Sequence, residues 1–112
     1  MKLPKRSERE IQKAILDYLR LRSILAVRFN TGATAIPARA GKKARFIRYG
    51  LRGAADIICW PRPNEGDTWW LEVKRPGEKQ SPAQIAFQKL VESHGHRYAV
   101  VTDLQDVMEL VE

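Results

Sequence analysis

Apolar residues recur along this chain first at helical spacing and then at strand spacing. Ile11, Ala14, Ile15, Tyr18 and Leu19 fall at the offsets that line one face of an α-helix. Ser7 stands ahead of them with Glu10 three residues on, a capping box that satisfies backbone N–H groups left free at a helix start. A helix is therefore predicted over about 8–22. Ile24 to Asn30 is short, partly alternating and runs into Thr31-Gly32, which suits a strand. From Gly32 to Lys43 the residues are small, basic or Pro/Gly with no apolar period, so the stretch reads as a mobile basic loop, at about 31–45. Phe46 to Tyr49 offers a second short strand.

Ala55 to Trp60 is a near-continuous apolar run, Pro61 to Asp67 supplies a turn, and Thr68 to Lys74 alternates. These two segments are predicted to be neighbouring strands of one sheet. Ser81-Pro82-Ala83-Gln84 opens a second helix with a capping box and a proline at its first position, and Ile85, Phe87, Leu90 and Val91 carry the stripe to about Ser93. Gly95 ends it. Arg97 to Val101 follows as a strand, and Thr102 or Asp103 caps a last helix over about 104–111.

At 112 residues and 44% hydrophobic, the chain has the size and content of one globular domain spanning 1–112. Its net charge of +7 favours a polyanionic partner. The distribution sharpens that picture. Between Tyr18 and Ala55 there is no acid, while Arg20, Arg22, Arg28, Arg39, Lys42, Lys43, Arg45, Arg48 and Arg52 all fall inside. A solvated face mixes both signs, so this run favours phosphate contact, with Arg39, Lys42, Lys43, Arg45, Arg48 and Arg52 as candidate DNA-binding residues. Cys59 is the only cysteine, which excludes an intrachain disulfide or a cysteine-based metal site, and its apolar neighbours make it a core thiol. With no apolar run long enough to span a bilayer and no signal-peptide core, the expectation is a soluble, intracellular, cytoplasmic protein.

The candidate chemistry lies on the strand from Thr68. Alternation puts Trp70, Glu72 and Lys74 on one face and Trp69, Leu71 and Val73 on the other. Asp56, at the start of the neighbouring strand, can converge on Glu72. Two carboxylates brought close repel unless a cation lies between them, and a hard divalent ion such as Mg²⁺ fits oxygen ligands. Lys74 can orient or activate a water, or stabilise charge developing on a phosphodiester.

Gly53-x-x-Asp56 followed by Glu72-x-Lys74 resembles the restriction-endonuclease-like, PD-(D/E)xK class of nucleases. With Glu8-x-x-Ile11-Gln12, Asn30-Thr31-Gly32 and Ser81-x-x-Gln84 added, the order of motifs resembles the virus-type replication-repair nuclease (VRR-NUC) domain, from Glu8 to about Thr102. The resemblance implies a restriction-endonuclease-like α/β core, with a central mixed sheet flanked by helices. It also implies a Mg²⁺- or Mn²⁺-dependent DNA endonuclease. Stand-alone viral members of the family resemble Holliday-junction resolvases acting as homodimers, which makes branched DNA the expected partner. The implied catalytic set is Glu8, Asp56, Glu72, Lys74 and Gln84, with metal contacts from Glu8, Asp56, Glu72 and Val73. Ala54-Ala55 stands where relatives often carry a proline before the aspartate, a departure that touches backbone geometry rather than metal ligation.

On the first helix Glu8 shares the inward face of Ile11 and Ile15 whereas Glu10 occupies the capping position, so Glu8 is assigned to the site. Gln84 has two readings, a helix cap behind Ser81 or a site residue, and the resemblance favours the second. His94 and His96 flank the helix-ending Gly95 and read as surface or capping groups. Trp69 and Trp70 read as core or site walls, with Trp70 able to line a DNA cleft.

Overall fold

The computed structural model describes residues 6–29, 33–36, 38, 40–41, 45–48, 51–62 and 64–112, with the backbone alone for 33–36 and 45–48. The described elements run α1 (Glu8–Leu21), β1 (Leu25–Arg28), β2 (Ala33–Ile36), β3 (Arg45–Arg48), β4 (Ile57–Trp60), β5 (Trp69–Val73), α2 (Pro82–Ser93), β6 (Arg97–Val101) and α3 (Leu104–Val111). Four strands form a mixed sheet in the order β1-β4-β5-β6. The β1/β4 and β4/β5 pairs are antiparallel and β5/β6 is parallel, with Glu72 opposite Val100 and Val73 opposite Val101. A parallel pair needs a crossover, and α2 supplies it.

Each helix is set by local chemistry. Ser7 caps α1 by accepting the Glu10 N–H at 3.1 Å, while its own hydroxyl donates to the Glu10 carboxylate at 3.2 Å. The first helix ends where Ser23 turns left-handed (φ 59°) and the Ile24 N–H reaches the Leu19 carbonyl at 2.8 Å. In α2 both halves of the capping box form, with Pro82 in the first turn. Asp103, not Thr102, caps α3.

The strand alternation sorts the core into two layers. On one face Ile11, Ile15, Leu16 and Leu19 of α1 and Val107 of α3 pack on Ala26, Ile57, Cys59, Leu71, Val73 and Val101. On the other, Phe87 and Val91 of α2 pack on Trp70 and Tyr98, with Ala54 and Ala55 beside them. Cys59 is buried, as its neighbours predict.

Two expectations change. The basic stretch after Gly32 is not loop throughout: Ala33–Ile36 is a strand, antiparallel to β3 with Ala33 opposite Arg48 and Ile36 opposite Arg45. Cross-strand hydrogen bonding sustains a ribbon that needs no apolar stripe to bury. Trp70 belongs to the core, as its first reading has it: it is buried edge-on against Phe29 and Phe87, and its indole N–H donates to His96 Nδ1 at 2.9 Å. His96 is accordingly half-buried rather than a surface cap, whereas His94 does stay at the helix end beside the Leu90 carbonyl.

Candidate active site

Glu72 is the one charged residue buried among the described residues, at 2% exposure. It lies on the α2 side of β5, where the crossover helix starts. The Gln84 side-chain amide donates to Glu72 Oε1 at 2.5 Å, while Oε2 has no hydrogen-bond donor. Burial, and then the nearby Asp56 carboxylate, push the Glu72 carboxyl up to about 8, against the pull of Lys74. An unpartnered carboxylate oxygen in a core is costly to fold around, and among the described residues the Gln84 amide and the Lys74 charge offset that cost only in part.

Asp56 arrives from the loop ahead of β4. Gly53 there has φ +74°, and a Cβ on it would stand 2.2 Å from the Ala83 carbonyl oxygen at the start of α2. Only glycine lets the two backbones touch, and buried Ala54 and Ala55 complete the close fit. This contact sets the Asp56 loop against the helix that carries Gln84. Asp56 Oδ2 accepts the Val73 N–H at 2.7 Å. Burial raises the Asp56 pKa, and the Val73 bond, Lys74 and Arg28 oppose the rise.

Lys74 follows β5 directly, its N–H bonded to the Val101 carbonyl at 3.0 Å, and its ammonium lies in the field of Asp56, Glu72 and Glu8. Glu8 reaches the same cluster from the first turn of α1. Burial and the adjacent Glu78 carboxylate raise the Glu8 pKa, Lys74 counters them, and Asp56 adds a smaller push upward. Glu10 instead faces the Ser7 cap. Gln84 holds both of its readings at once: its Oε1 accepts the Ser81 N–H at 2.8 Å while its Nε2 faces Glu72.

The structure thus brings Glu8, Asp56, Glu72, Lys74 and Gln84 into one place. It does not preassemble a three-carboxylate cage: among the described residues no three His, Cys, Asp or Glu side chains are grouped to hold a metal ion. Glu8 is turned to Glu78, and Val73 meets Asp56 through its N–H. The donor set that remains, two close carboxylates with one orphaned buried oxygen, still fits Mg²⁺, which commonly takes one or two carboxylates and fills its other positions with water or phosphate. Of the basic residues, Arg52 is exposed. Arg39, Lys42 and Lys43 lie outside the described residues, as do the side chains of Arg45 and Arg48.

Two site neighbours escaped the sequence reading. Glu78 comes back to the cluster through a turn at Pro76-Gly77 and accepts the Arg75 N–H at 2.6 Å. A Pro-Gly pair directly after Lys74 is the signal that could have found it. Arg28, at the end of β1, had only its position in a basic run to mark it.

No protein-family model and no curated protein matches the chain. Among solved structures, one described as "VRR_NUC domain" matches with a TM-score of 0.62 and 22% identity, covering 93% of this chain and 92% of that one. The chain has the fold of a VRR_NUC domain, a mixed sheet between helices, consistent with the restriction-endonuclease-like architecture that its motifs imply.

Proposed function

We propose that this chain is a Mg²⁺- or Mn²⁺-dependent DNA endonuclease that hydrolyses phosphodiester bonds. The observation that carries the reading is Glu72, a buried acid with an orphaned oxygen beside Asp56 and Lys74, an arrangement that folding alone does not reward. The name of the matching fold supports it, as does the acid-free basic run.

Asp56 and Glu72 would hold the cation, with Val73 contributing through its backbone and Glu8 through water or directly. When bound, the ion neutralises charge on the non-bridging phosphate oxygens and lowers the pKa of water. The protein's own groups do the rest. Gln84 fixes one oxygen of Glu72 and leaves the other to face the site. The Val73 N–H does the same for Asp56. Lys74 orients the attacking water and stabilises charge that builds on phosphorus as one P–O bond forms and another breaks, leaving a phosphomonoester and a hydroxyl.

The finer reading is a homodimer acting on four-way junctions, supported by the family resemblance of the motifs and by the need for two symmetric nicks, which a two-fold pair of single sites supplies. Cleavage of junction, flap, nicked and linear DNA of matched sequence, with Mg²⁺, Mn²⁺ or EDTA, tests both levels. Cleavage in EDTA or by Glu72→Gln overturns the nuclease reading; equal cleavage of linear and four-way DNA, or a monomer mass by light scattering with and without DNA, overturns the resolvase reading alone.

A further inference from the structure

Between the first two turns of α1 and the end of β1 lies an open concavity of about 540 Å³, lined by Ser7, Arg9, Glu10, Lys13 and Arg28. It lies beside the carboxylate cluster, since Phe29, next to Arg28, donates its N–H to the Asp56 carbonyl at 2.8 Å. Glu8, between Ser7 and Arg9, turns to that cluster, and Arg28 acts on Asp56 from the concavity's other side. Three cations and one carboxylate therefore face a hollow beside the site.

The cations are available. Among the described residues neither Arg9 nor Arg28 forms an ion pair. Lys13 meets Asp17 at 2.8 Å, but the two side chains are 74% and 51% exposed, so the pair is worth under ~1 kcal/mol and yields to a stronger anion. The Ser7 hydroxyl keeps Glu10 at the cap. The Glu8 and Arg9 N–H groups precede the first intrahelical bond and add positive field at this end of the helix. A hollow this open does not enclose a small free anion. It suits a charge on a chain that continues across Asp56.

We propose that the concavity binds a phosphate of the DNA strand adjacent to the one at the carboxylate site, with Arg9 and Lys13 as anchors and Arg28 joining the two positions. The inference rests on the nuclease reading and assigns DNA contact to α1 in addition to the basic run.

Fluorescence anisotropy of the full chain on labelled duplex and junction DNA, in EDTA across a salt titration, tests it. Arg9→Ala/Lys13→Ala should weaken binding about tenfold and reduce the slope of log K against log salt by roughly 1 to 2. Glu10→Gln should do the opposite and tighten it. Lys89→Ala, an exposed cation on α2, should change little. In wild type, a single methylphosphonate walked along the strand should weaken binding at one position beside the cut, and that penalty should vanish in the double variant. Circular dichroism confirms that each variant is folded. Unaltered affinity in a folded double variant, or a methylphosphonate penalty that persists in it, overturns the proposal while leaving cleavage intact. A double variant altered only in competition by inorganic phosphate shows a free-anion site and overturns it too. Absence of any DNA binding by wild type overturns the nuclease reading with it.

Discussion

Replacing Glu72 by Gln should stabilise the metal-free protein at high pH while abolishing its cleavage. Glutamine keeps an oxygen for the Gln84 amide and removes the charge from a site that is 2% exposed and faces Asp56. Moving a carboxyl from 4.5 to about 8 costs the ionised form about 5 kcal/mol, at ~1.4 kcal/mol per pH unit. Water entry and adjustment of Lys74 relax much of that, so ~2 kcal/mol is the expected gain. The sign follows from linkage. Between pH 4.5 and 8 the unfolded chain has lost the Glu72 proton and the folded chain keeps it, so wild-type stability falls as pH rises through that window. Urea denaturation in EDTA at pH 5, 7 and 9 reads the effect: the variant should match wild type at pH 5 and exceed it at pH 9, by roughly 8 °C in a parallel thermal melt. Saturating Mg²⁺ should narrow the gap by restoring wild type. A variant less stable than wild type at pH 9, or a difference that does not change with pH, refutes the reasoning.

Gly53→Ala should destabilise by about 2–4 kcal/mol, since a Cβ at φ +74° meets the Ala83 carbonyl at 2.2 Å; urea denaturation at pH 7 measures it. Glu8→Gln should lower the cleavage rate far more than Glu10→Gln, whose main cost is about 1 kcal/mol or less of helix capping; rates and melting temperatures of the pair decide between the two acids. Removing Arg39, Lys42 and Lys43 together should weaken binding to every DNA and flatten its salt dependence without altering the cation requirement. A salt titration with unchanged slope would leave that stretch a solvated surface.

Much of the fold was legible because its signals are local. Ser81, Pro82 and Gln84 are adjacent, so the start of α2 could be read without knowing what it packs on. Strand β6 and helix α3 fell where the alternation and the last apolar stripe put them. Strand β2 was not legible: Ala33 to Ile36 has no polar alternation strong enough to mark a strand, and its partner β3 follows only after eight intervening residues that carry no apolar period. Distance along the chain likewise hid Trp70's bond to His96, which joins β5 to the residue just ahead of β6. Within the site, Glu72 and Lys74 could be paired from strand periodicity, because side chains two apart on a strand must share a face, and Asp56 could be added from its place at the start of the neighbouring apolar run. Glu78 could not, since a turn has no period. Gln84 looked like a choice between cap and site because an amide was treated as one group, whereas its oxygen and nitrogen serve different partners.

The strand order has a consequence for how this molecule comes into being on a ribosome. Of the cluster's residues Glu8 leaves the exit tunnel first, yet the cluster needs Asp56, Glu72 and finally Gln84, and β5 acquires its parallel neighbour β6 only after α2 has been made. Loop closure over such separations comes late, so a nascent fragment that stops short of Gln84 lacks the assembled cluster. A chain cut short between the basic run and β5 would keep the charge of that run and lose Glu72, so the charge and the carboxylate cluster are separable along the chain.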